Sequence, residues 1–100
     1  MAEILTTASE LKAKSESLQE LNQRFMNQIT TLEETEGSLN GMWEGQARET
    51  FHNAFSSDMV QLRNFYNAIQ NYVQVLLQIA AEYMKAENTN VDIGQTRKYQ

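Results

Sequence analysis

The sequence predicts an all-α fold: a helix-turn-helix hairpin of two long antiparallel helices, dimerising into a four-helix bundle. Three observations carry this. Proline is absent from the 100 residues, so no ring interrupts a helix. Apolar residues recur at a seven-residue step through both halves of the chain, which is the period of a helix face and not of a strand. Three of the four glycines, Gly37, Gly41 and Gly45, gather at the midpoint around the only tryptophan, Trp43, where a long helix can reverse.

The first helix is expected over about residues 6–39. One column, Ile4, Leu11, Leu18, Phe25, Leu32 and Leu39, is apolar throughout, and Leu5, Leu21 and Met26 widen it. Its companion, Ala8, Ser15, Asn22, Ile29 and Glu36, is smaller and more polar, so the large column is taken as the packing stripe. The turn follows at about residues 40–44, with Gly45 keeping the backbone beside the Trp43 indole uncrowded.

The second helix is expected over about residues 45–87. It carries three columns: Phe55, Leu62, Ile69, Leu76, Tyr83; Phe51, Asp58, Phe65, Tyr72, Ile79, Ala86; and Met59, Tyr66, Val73, Ala80. That face is wider than one partner helix needs. The stretch Asn64 to Ala81 is uncharged, but Asn64, Asn67, Gln70, Asn71, Gln74 and Gln78 make one polar face. It therefore reads as an amphipathic helix and not a membrane span. Residues 88–100, NTNVDIGQTRKYQ, are polar and stripe-free and read as a flexible tail.

A short connection makes the helices antiparallel neighbours. Folding about position 42 sets Phe25 against Met59, Leu18 against Tyr66, Leu11 against Val73 and Ile4 against Ala80. Helix–helix and dimer packing fall to Leu11, Leu18, Phe25, Leu32, Phe55, Leu62, Phe65, Tyr66, Ile69, Tyr72, Val73 and Leu76. A single hairpin leaves its wide face in water, and large apolar patches mark interaction surfaces. A second hairpin covers it. The aromatic content favours a homodimer; a heterodimer with a similar hairpin needs the same stripes and stays open. In this register Glu36 faces Arg48, either as an ion pair across the turn or as two solvated charges.

Net charge is −5 and the pI about 4.8. With the basic residues scattered, this opposes nucleic-acid and anionic-membrane binding. Without cysteine there is no disulfide framework or thiolate metal site. His52 is the only histidine; it reads as a rim residue with ordinary helix neighbours. The sequence shows no metal-ligand spacing, phosphate loop or positioned nucleophile and base. No enzyme activity, metal or cofactor is expected. The segment MAEILTTASELKAKSESL lacks the charged and apolar regions of a cleaved signal peptide.

At Trp43-Glu44-Gly45 the chain resembles the WXG-motif family, small helical hairpins that are substrates of the type VII (ESX) secretion system and include the early secreted antigenic target proteins. The motif lies at the midpoint of a chain of the family's size, between heptad-bearing arms, without proline or cysteine. Near the end, YMKAE, Tyr83 to Glu87, matches the family's export motif of tyrosine, three residues and an acid. The resemblance spans Met1 to about Glu87. It implies secretion from the cytoplasm without cleavage, as a folded dimer, after recognition by a membrane-bound ATPase of the secretion machine. It assigns Tyr83 and Glu87 to the C-terminal signal and Trp43 and Gly45 to the turn motif. In an antiparallel dimer the tail of one protomer meets the turn of the other, making one composite signal. The family includes virulence-associated effectors and escorts for larger co-secreted substrates, and either role fits. Two rivals lie outside the family: a structural secretion-apparatus subunit, which usually carries a proline-bearing turn, and a non-exported helical adaptor or chaperone.

Overall fold

Thr7 starts the first helix. Its hydroxyl oxygen accepts the Glu10 amide at 3.0 Å and its carbonyl accepts the Leu11 amide at 3.0 Å, which satisfies amides that the first turn otherwise leaves free. The computed structural model describes the backbone of residues 7–98 and the side chains of residues 7–86. Within them lie two helices, α1 (Ala8–Asn40) and α2 (Gln46–Lys98), and no strand. The fold is the expected all-α hairpin.

The turn between the helices closes tightly. The Gly41 amide donates to Gly37 O and the Met42 amide to Leu39 O, ending α1, and the Glu49 amide donates to Gly45 O, opening α2. Gly45 has φ 108°, a conformation that side chains with a Cβ rarely adopt. A Cβ built on it meets nothing within 4 Å. The glycine is thus required by the backbone angle and not, as the sequence suggests, by crowding against the indole.

The second helix does not end near residue 87. Its backbone stays helical to Lys98, so residues 88–98 are a continuation of α2 and not the tail expected there. Asn88, Thr89, Asn90 and Gly94 are weak helix formers, but none blocks a helix as proline does.

Two compact units divide the chain, Gln19–Gln70 and Met1–Leu18 with Asn71–Gln100. In the first, the buried residues of α1 are Asn22, Ile29 and Glu36, seven apart, and the buried apolar residue of α2 is Met59. Asn22 Nδ2 donates to the Tyr66 carbonyl at 3.1 Å, and Glu36 meets His52 at 2.9 Å. Between these two layers the step of seven sets Ile29 opposite Met59. Here the structure corrects the expected register. Met59 and Tyr66 do face α1, but they meet Ile29 and Asn22, one helical turn further along than Phe25 and Leu18. Glu36 correspondingly engages His52, and the Glu36–Arg48 pair does not form.

In the second unit the same step recurs. The buried residues of α1 are Ala8 and Ser15, and those of α2 are Val73 and Ala80. Leu11 is only half-buried, so it does not supply the seam residue expected opposite Val73; Ile4 lies outside the described residues. Ser15 turns its hydroxyl back onto the Leu11 carbonyl at 2.7 Å, which lets a polar side chain sit in a tight seam without an unpaired donor.

Glu33 and Arg63 form a two-pronged ion pair at the edge of the Gln19–Gln70 unit. The hydrogen bond from Arg63 holds the Glu33 carboxyl below its ordinary range, with the guanidinium charge acting in the same sense. Because the folded value is the lower one, the pair's stabilisation is present above the ordinary carboxylate range. It is lost as pH falls through the folded value. Arg63→Gln is expected to narrow the gap in thermal midpoint between neutral and acid solution, and added salt to narrow it in the unaltered chain.

Candidate functional site

The small, polar α1 column occupies the intrachain seam, and this sends the large apolar column elsewhere. Leu11, Leu18, Phe25, Leu32 and Leu39 each stand three residues after a seam position of α1. Phe55, Leu62, Ile69, Leu76 and Tyr83 stand three residues after a seam position of α2. In antiparallel helices those two steps lead to the same side of the seam.

Contacts within each unit agree. In Gln19–Gln70, Phe25 and Phe65 pack edge to face with centroids 5.7 Å apart. Both belong to a side where Leu32 remains 46% and Phe65 57% exposed, with Leu39 and Phe51 also exposed; Phe55, Leu62 and Ile69 are half-buried beside them. In the other unit Leu18 joins Tyr72, Val75 and Leu76 around an open apolar cleft of about 530 Å³, and Tyr72 is 60% exposed. Of the residues assigned to packing, Val73 is buried and Tyr66 half-buried toward the seam. The rest form these open faces.

The turn carries its own cluster. Trp43 is half-buried, edge-on to Phe51 at 6.2 Å, and Phe51 stacks on Phe55 at 6.2 Å. Met42 is exposed beside them. Glu36 is almost fully buried and meets Nδ1 of the half-exposed His52 at 2.9 Å. Among the described residues three buried side-chain atoms have no partner: Asn40 Oδ1, Trp43 Nε1 and Arg48 Nε. The sequence does not single out Asn40, and of the two readings it leaves open for Arg48, the ion pair with Glu36 does not form.

The C-terminal motif lies on α2. Tyr83 is 50% exposed and lines a groove of about 680 Å³ with Val75, Gln78, Ile79, Ala81 and Glu82. Glu87 is on the helix, and its side chain lies outside the described residues. Among the described residues no helix is long and apolar enough to cross a membrane. Among the described residues no cluster of metal-ligating side chains occurs.

Asn22 is the one buried residue that composition hides best. It donates to Tyr66 O and to Gln70 Oε1 at 3.0 Å. The sequence signal was available: a lone amide in a repeating small column is the pattern that fixes helix register.

A family model described as WXG100, proteins of 100 residues with WXG, matches residues 3–88. No curated protein and no solved structure matches the chain significantly.

Proposed function

The chain belongs to the WXG100 family, and from that premise we propose that it is exported as a folded antiparallel homodimer bearing a two-chain secretion signal. The family's members are small non-enzymatic proteins secreted by type VII systems. The observation that supports the dimer is the unpartnered apolar face on each unit, centred on Phe25, Leu32 and Phe65 in one and on Leu18, Tyr72 and Leu76 in the other. A second copy of the chain presents the same faces, and isologous pairing lets each cover the other. A heterodimer with a similar hairpin is the alternative. Light scattering on the chain expressed alone separates them: a helical particle of twice the 11.5 kDa chain mass supports self-association, and a poorly helical monomer points to a missing partner.

In this reading Trp43 and Gly45 of one protomer and Tyr83 and Glu87 of the other form the composite signal, which a membrane-bound ATPase of the secretion machine recognises. Assembly then licenses export, because the signal is complete only where two chains meet. After export the dimer acts as a virulence-associated effector or escorts a larger co-secreted substrate. Tyr83 is 50% exposed and so within reach of a second protein, which supports a recognition role. Tyr83→Ala is expected to lower the protein in the culture medium at least about tenfold, a loss of about 1.4 kcal/mol in recognition, with cellular level and helicity retained. Unchanged secretion removes Tyr83 from the signal.

A further inference from the structure

Arg48 stands where an unpaired charge is most exposed to the consequences of dimerisation. It heads the α2 column that continues through Phe55, Leu62 and Ile69, so it lies on the face that a second protomer covers. Its Nε is already shielded from solvent and has no partner within the chain. Of the acids at the end of α1, Glu33 is engaged by Arg63 and Glu36 by His52, and Glu34 makes no ion pair with Arg48. Glu44 and Glu49, close in sequence, make no ion pair with it.

Two more unpaired buried atoms, Asn40 Oδ1 and Trp43 Nε1, belong to the same turn. Among the described residues these three are the buried side-chain polar atoms without a partner, and all fall within residues 40–48. One is an acceptor and two are donors. Covering them with a purely apolar surface would remove water and leave a guanidinium uncompensated, which is strongly unfavourable. Whatever closes over the turn must therefore bring a carboxylate and a neutral group that both donates and accepts.

The chain itself holds such a surface. The groove beside Tyr83 has apolar walls in Val75, Ile79 and Ala81, with Glu82 as its acid and Gln78 as its amide. Glu82 is exposed and forms no ion pair among the described residues. The geometry points to a contact between two copies of this chain in which Arg48 of one pairs with Glu82 of the other. Gln78 answers Asn40 and Trp43, and Met42 and Phe51 meet the apolar walls. The contact rests on the homodimer reading above, and two-fold symmetry makes it occur twice.

A charge exchange between copies tests it. Arg48→Glu and Glu82→Arg, each alone, place like charges together at both contacts. Each is expected to raise the dimer dissociation constant at least about tenfold in sedimentation equilibrium. Arg48→Glu adds an acid to a helix N-terminus, where the dipole favours it, so helicity checks that folding is intact. Mixing the two single variants in equal amounts restores an opposite-charge pair at both contacts. The mixture is expected to form a heterodimer within about threefold of the unaltered affinity, and the double variant to recover likewise. Failure of the mixture to recover, with the unaltered chain dimeric, overturns the Arg48–Glu82 contact and leaves the dimer standing. Recovery in the double variant alone makes the pair an intrachain one and also overturns it. An unaltered chain that stays monomeric overturns the dimer reading itself.

Discussion

In the proposed homodimer, Phe65→Asp is expected to convert dimers into monomers across the micromolar range. Phe65 is 57% exposed in the chain, and among the described residues its ring contact is the edge-to-face packing on Phe25. Losing that contact costs the isolated hairpin about 0.5–1.5 kcal/mol. The dimer loses far more. An aromatic at the centre of an interface is worth about 2–4 kcal/mol on truncation, and a carboxylate in its place must also be desolvated without a partner. The dissociation constant is expected to rise by about 100-fold or more. Light scattering reads this as a mass falling to that of one chain, and circular dichroism as helicity that declines on dilution, because dimerisation contributes to the core. A variant that remains dimeric at low concentration would show that Phe65 lies outside the interface.

The same face explains which parts of the fold are legible in the sequence. Two helices, the reversal near residue 43 and the α2 seam column all follow from heptad spacing and glycine placement. The α1 seam does not. Size ranks Leu11, Leu18, Phe25 and Leu32 above Ala8, Ser15, Asn22 and Ile29, and for a self-sufficient hairpin the larger column would close the seam. This chain instead lets its helices approach through small residues and leaves its large ones exposed, on the faces that the proposed dimer covers. Periodicity gives the angle of each column on its helix; it does not say which of two neighbouring columns faces the same chain and which faces another.

The turn is legible in part for a related reason. Trp-X-Gly marks the reversal, and the expected register sets Glu36 opposite Arg48, as a pair or as two solvated charges. Which acid meets which base depends on register to within one helical turn. The four-residue shift that seats Ile29 against Met59 also hands Glu36 to His52 and leaves Arg48 without a partner. A motif search finds Trp43 and Tyr83 because they are unusual residues in fixed spacing. Asn22, Asn40 and Arg48 are ordinary residue types, and only their burial gives them meaning.

Ile29→Ala is expected to be the most destabilising single truncation in α1. Ile29 is 1% exposed, and its column otherwise offers only Ala8, Ser15, Asn22 and Glu36 to the seam. Deleting its outer carbons leaves a cavity between two polar layers, one holding the Asn22–Tyr66 bond and the other the Glu36–His52 contact. Neither layer can collapse into the gap without breaking its own bond, so relaxation is poor and the cost falls in the range of about 2–5 kcal/mol. Against a total stability of about 5–15 kcal/mol for a domain, that lowers the thermal midpoint by more than about 10 °C at fixed protein concentration. Leu32→Ala is the control. Leu32 is isomeric with Ile29 but belongs to the larger column, and it would matter as much or more if that column formed the seam, yet it is 46% exposed. Its truncation is expected to spare most of the midpoint and to weaken dimerisation instead, seen as a mass that falls sooner on dilution. Should Leu32→Ala melt the helices as severely as Ile29→Ala while the dimer's dilution behaviour stays unchanged, the seam runs through the large column after all.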